Sequence, residues 1–139
     1  MSTIPPQPFT EGFAKLVGIE VTALEEDEVR AEVKVRPELL QPAGLVDGGV
    51  YATIAEDVCS AATHMAVNAD RGAVAMGMSN QTSFLRPITE GTIHAVARPR
   101  HRGRTTWVWE VDFLDDDERL CALSRMTIAV REPGARKQA

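Results

Sequence analysis

The 139 residues carry 20 acidic against 15 basic side chains, a formal net charge of −5, and 44% of them are hydrophobic. That length and apolar content fit one globular domain with a real core. The acidic balance speaks against a nucleic-acid binder, and no stretch approaches the ~20 apolar residues that a membrane-spanning helix needs.

Residues 1–8 hold Pro5, Pro6 and Pro8 and are expected to form a flexible arm. They lack the charged-then-apolar order of a signal peptide, which favours a cytoplasmic location. The domain proper is expected over 9–131, with 132–139 as a frayed tail. Phe9, Phe13, Leu16 and Val17 recur at helical spacing, so a helix is predicted over 9–17, with Gly18 as its stop. Ile19 to Leu24 and Val29 to Val35 alternate apolar and polar residues. They read as an antiparallel hairpin with one wet face, and Glu25 to Glu28 as its solvated turn.

Gly44, Gly48 and Gly49 punctuate the loop that follows. After them Val50, Ile54, Val58, Ala61, Ala62 and Met65 recur at spacings of three and four, which predicts a long helix. Asp47 is its natural N-cap, because a carboxylate there accepts from free first-turn N–H groups. Alanines and Cys59 fill most other positions, so the helix is expected to be buried on all sides. Glu56 stands out against that background: a buried carboxylate is costly unless it is paired, hydrogen-bonded or used. Ser60 shares its face at i+4.

Beyond the helix, 73–84 reads as a long extended segment. Met76, Met78 and Phe84 are expected in the core, with an acyl pocket as the alternative. Residues 92–102, 105–114 and 120–130 read as further strands, separated by Pro87, Gly91, Gly103 and the acidic turn 115–118. The later strands are neighbours in sequence, so an antiparallel meander is expected. Cys59 and Cys121 read as reduced apolar fillers. His64, His94 and His101 are scattered and suggest no metal site.

Gln41, the run Gly44-Leu45-Val46-Asp47-Gly48-Gly49, the buried helix and its mid-helix Glu56 resemble the hotdog-fold acyl-CoA thioesterases. The branch they resemble is that of the phenylacetate-pathway and 4-hydroxybenzoyl-CoA thioesterases, with the acid on the central helix. The likeness extends through the segments 83–87 and 101–111. The departure is Asp47, where that family usually has His.

The resemblance implies an α+β hotdog fold, an antiparallel sheet wrapped around a long central helix. It implies homodimers, extending to a homotetramer as a dimer of dimers, with active sites at the dimer interface. It implies hydrolysis of a small aryl- or acyl-CoA, with no metal or other cofactor. Glu56 would be nucleophile or general base. The Gly48 N–H would polarise the carbonyl, since a glycine lets a ligand approach the backbone. Gln41 would hold the loop and the thioester or water. Ser60 would orient water or Glu56, or else back-bond to its own helix. Asp47 would cap the helix, at the cost of a charge near the carbonyl. Arg86, Arg104, Thr105 and Thr106, with Arg102 added from the basic run 98–104, would bind the CoA phosphates; the bland alternative is a solvated strand end. A catalytically weak acyl-CoA-binding hotdog protein is the main rival. A hydratase would need a His partner for Glu56, and a regulator would need a DNA-binding segment.

Overall fold

The structure is a computed structural model that describes residues 11–134. The expected arm over 1–8, the first two residues of the expected helix and the end of the tail lie outside the described residues.

The chain runs through α1 (Gly12–Val17), β1 (Glu20–Leu24), β2 (Val29–Lys34), a 3-10 turn (Pro37–Leu39) and α2 (Gly48–Arg71). It ends with β3 (Val74–Phe84), β4 (Thr92–Arg102), β5 (Thr106–Leu114) and β6 (Leu120–Arg131). Six strands form one antiparallel sheet in the order β1-β2-β4-β5-β6-β3. Alternation sets its inner face: Val29, Ala31 and Val33 on β2, Ile93, Ala95 and Ala97 on β4, and Trp109, Val111 and Phe113 on β5 are all buried. α2 lies across that face, in contact chiefly with β3 and β6. No described helix is long and apolar enough to cross a membrane.

Two expectations need correction. The last three strands form the predicted meander, but β3 does not join it through β4. It pairs with β6 at one edge of the sheet, and β4 takes the place beside β2. The segment 85–91 carries the chain between them, held by Leu85 and Arg86 N–H groups on the Cys121 carbonyl and by Val35 N–H on the Gly91 carbonyl. Adjacency in sequence favoured the hairpin; the helix return places β3 against β6 instead.

The second correction concerns α2. Val50, Tyr51, Ile54, Ala55, Val58, Cys59, Ala62, Thr63 and Val67 are buried, but Thr53, Glu56, Asp57 and Ser60 are only partly covered and His64 is exposed. One sheet covers one side of a helix, so a helix that is apolar nearly all round keeps a face without cover. β3 shares this property. Met76 and Met78, expected in the core, are 55% and 59% exposed.

One buried polar link ties helix to sheet. The Trp109 indole N–H donates to Thr63 Oγ1 at 2.8 Å, and that hydroxyl donates to the Cys59 carbonyl at 2.7 Å. Thr63→Val keeps the shape and strands the indole N–H in the core. The expected cost is ~1–3 kcal/mol of unfolding free energy, read by urea denaturation.

Candidate active site

The first turn of α2 is held by backbone contacts on both sides. Val46 N–H donates to the Ile88 carbonyl at 2.8 Å and Asp47 N–H to the Leu39 carbonyl at 2.9 Å. Asp47 is extended (φ −63°, ψ 136°) and its Oδ1 accepts from Gly49 N–H at 2.8 Å, so it is the N-cap that the sequence predicts. The Gly48 N–H is left without a partner among the described residues. A free donor therefore remains at the positive end of a 24-residue helix.

The space above Gly48 is filled. A Cβ on this residue would meet the Phe84 ring at 2.7 and 2.9 Å. Glycine here admits the ring of the chain's own Phe84 on the side a Cβ would take. Phe84 is 60% exposed, so the ring has room to leave.

A cavity of about 460 Å³ opens beside this turn, walled by Gln41, Gly48, Tyr51, Phe84, Arg86 and Cys121 with Leu45, Val46, Leu85 and Pro87. The Gln41 side-chain carbonyl accepts from Ala43 N–H, which braces the loop and leaves the amide NH2 as the donor end. Burial pushes the Tyr51 hydroxyl up to about 12, so it stays a neutral phenol. Burial also pushes the Cys121 thiol up, with the charge of Asp115 adding to the effect, so this sulfur is no thiolate nucleophile. Sequence reading missed both Tyr51 and Cys121, because apolar periodicity makes each look like a filler.

Glu56 is not in this cavity. It lies eight residues beyond Gly48 on an unbroken helix, about 12 Å at 1.5 Å per residue. Its carboxylate rests on β3 against Gly77, where an added Cβ would meet Oε1 at 2.6 Å and Cδ at 2.8 Å. Beside it, burial raises the Asp57 carboxyl above its ordinary value and the charge of Glu56 raises it further. Cys59, pushed up by burial and then by Glu56, is a buried free thiol like Cys121. The Ser60 hydroxyl is buried with no hydrogen-bond partner among the described residues. It does not back-bond to its helix, whereas Thr53 donates to the Gly49 carbonyl at 2.8 Å.

The basic group separates into two kinds. Arg98 pairs with Glu28 at 2.9 Å and Arg100 with Glu110 at 3.2 Å. Arg102 meets Asp27 at 2.8 Å, donates to the Glu26 carbonyl at 2.6 Å and lies 5.8 Å above the Trp107 ring. Arg86 and Arg104 make no side-chain ion pair among the described residues. Gly103, Arg104 and Thr105 form the turn between β4 and β5, and Thr106 opens β5. Arg71, in the last turn of α2, donates to the Arg104 carbonyl at 2.6 Å. This group therefore sits at the C-terminal end of α2, while Gln41, Gly48 and Arg86 sit at the N-terminal end, about 36 Å of helix away. Among the described residues no group of three His, Cys, Asp or Glu could hold a metal ion.

A long helix on an antiparallel sheet, with a free donor at its first turn and a carboxylate two turns on, defines a hotdog-fold hydrolase framework. The thioesterase superfamily model matches residues 43–122, and the chain belongs to that family; it is a thioester hydrolase. It is 30% identical over 121 residues to the 1,4-dihydroxy-2-naphthoyl-CoA hydrolase of Listeria monocytogenes, covering 87% of this chain and 97% of the relative. It is 33% identical over 114 residues to the proofreading thioesterase EntH of Cronobacter turicensis, covering 82% of each. Among solved structures, a mutant thioesterase from Pseudomonas aeruginosa superposes with a TM-score of 0.82 at 30% identity, covering 87% of this chain and 86% of that one.

Asp47 separates stability from catalysis at this turn. Asp47→Asn keeps the cap and removes the charge. It should change stability by less than about 1 kcal/mol and leave turnover unchanged or higher. Asp47→Ala should cost roughly 0.5–2 kcal/mol. Thermal denaturation and steady-state turnover of both variants check these values.

Proposed function

We propose that this protein hydrolyses a small aryl- or acyl-CoA to the free acid and CoA, in a site built from two copies of the chain. The observation that carries the reading is the spacing on α2. A carbonyl polarised by the Gly48 N–H must lie within about 3 Å of it. Glu56 of the same chain is about 12 Å further along a continuous helix, so it cannot reach that carbonyl. A second chain can supply it. β3 is a sheet edge with exposed Met76 and Met78, it runs beside the uncovered face of α2, and Glu56 rests on it. Pairing two β3 edges removes unpaired strand groups and sets Glu56 of one chain towards the loop of the other. A homodimer is thus the smallest active unit, and a homotetramer is two of them.

In this scheme the Gly48 N–H and the helix dipole stabilise charge developing on the thioester oxygen. Either Glu56 attacks the carbonyl carbon, the C–S bond breaks to release CoA thiolate, and water hydrolyses the acyl anhydride left on Glu56, or Glu56 takes the proton from an attacking water and returns it to the sulfur as the C–S bond breaks. The Ser60 hydroxyl, at i+4 with its hydrogen bond unspent, orients that water or Glu56. The Gln41 amide donates from the opposite wall of the cavity. Phe84 must swing off Gly48 to admit the thioester. The scheme draws on no metal or organic cofactor; CoA enters as part of the substrate. Arg86 and Arg104, which have no ion pair among the described residues to give up, hold its phosphates with Thr105 and Thr106; Arg102 can join only by releasing Asp27. The Listeria relative's name favours an aromatic acyl group.

Glu56→Gln preserves shape and removes the basic oxygen. Hydrolysis of acyl-CoA substrates should fall at least ~10²-fold, the lower range for a positioned acid–base group, with substrate binding retained. Full activity in this variant would end the proposed chemistry.

A further inference from the structure

We propose that Gly77 is a positioning residue for hydrolysis: its missing side chain is the seat that fixes the Glu56 carboxylate. The proposal rests on the catalytic reading of Glu56 given above.

Gly77 is a lone glycine inside an 11-residue strand, where a residue without a side chain weakens pairing and needs a reason. Backbone conformation is not that reason. Five other described glycines have φ between 67° and 89°, which disfavours any L side chain, and Gly77 is not among them. Its neighbours to either side, Met76 and Met78, are accommodated without strain of that kind. The distinguishing feature is what occupies the place of its Cβ. Both carboxylate oxygens and the carboxyl carbon of Glu56 stand there, the latter at 2.8 Å. The pairing with β6 shifts register between Gly77 and Ser79, so the strand carries an irregularity at this point, of the sort that re-aims groups near active sites.

The consequence is a split between folding and catalysis. The atoms a methyl group would displace form the far end of a flexible side chain, on a partly covered face of α2. Folding tolerates their movement. Catalysis does not, because the displaced atoms are the reacting ones and about 1 Å of misplacement can cost 10²-fold. The seat also explains how a long, rotatable Glu side chain is held with no hydrogen-bond donor on its carboxylate among the described residues: the glycine surface and the helix leave it one place to lie.

The test uses the full chain with Gly77→Ala, Glu56→Asp, the double variant and Glu56→Gln as control. Gly77→Ala should fold with a melting temperature within about 3 °C of the parent. Its kcat should fall ~10- to 10²-fold with little change in KM. NMR of the Glu56 side-chain carboxyl should show a shifted resonance, whatever that group does in catalysis. In the Glu56→Asp background the carboxylate is one methylene shorter and no longer reaches the methyl. There, Gly77→Ala should cost less than about 2-fold, a non-additivity expected only of residues in contact. An equal cost in both backgrounds would assign Gly77 a general strand role and overturn the proposal. Undiminished kcat for Gly77→Ala, with Glu56→Gln inactive, would overturn it and leave the chemistry of Glu56 standing. Full activity in Glu56→Gln would remove the catalytic reading and with it the positioning role, whereas an unshifted Glu56 carboxyl resonance in Gly77→Ala would overturn the seat itself.

Discussion

A continuous helix is a ruler. Nothing breaks α2 between Gly48 and Arg71, so the donor at its start and the carboxylate at its middle keep a fixed separation. Every other feature of the site answers to that distance. The loop is pinned by hydrogen bonds to Leu39 and Ile88 so that the first turn faces a cavity. Glu56 is delivered instead to the open side of the helix, beside a sheet edge. On the proposed reading, one chain holds each half in place and cannot bring the halves together.

Electrostatics at the first turn follow from how the cap is made. Asp47 takes the Gly49 N–H and leaves that of Gly48. The helix is capped and still presents a donor, so an Asp in place of the His that the resembled family usually carries leaves free the group that the proposed reading assigns to the carbonyl. Its negative charge stays near that donor and, on the proposed reading, would oppose charge developing on a thioester oxygen. Around Glu56 the field is also acidic: the half-buried Asp57 carboxyl and the fully buried Cys59 thiol, both raised first by burial, are raised further by its charge. The cations that would balance a CoA lie at the two ends of the helix, and those in the middle of the basic run are already spent on Asp27, Glu28 and Glu110.

Much of this was legible in the residues. Spacing of three and four gave α2, alternation gave the inner faces of β2 and β4, and Asp47 announced its cap. Two kinds of information were not. Strand order depends on where the helix returns the chain, and no local pattern in 73–84 says that β3 joins β6 and not β4. The uncovered face of α2 was hidden because small apolar residues look alike whether a sheet or a second molecule covers them. Gly77 carried a signal, a glycine alone in a strand, but its meaning needs the helix carboxylate that lands on it. Arg102 shows the opposite limit: composition made it a phosphate ligand, and only geometry reveals Asp27 beside it.

The central claim, a site divided between two chains, is tested by mixing two inactive variants. Glu56→Gln removes the carboxylate. Gly48→Pro removes the first-turn N–H at the first helical position, after an extended Asp47, and the exposed Phe84 ring must move aside for the added Cβ. Subunits are exchanged in equal amounts and hybrid dimers are counted by native mass spectrometry. Random pairing makes half the dimers hybrid, each with one intact site, so turnover should return to about a quarter of the parent value. Abundant hybrids with no more activity than the two variants alone would contradict the account and place both groups in a single chain's site.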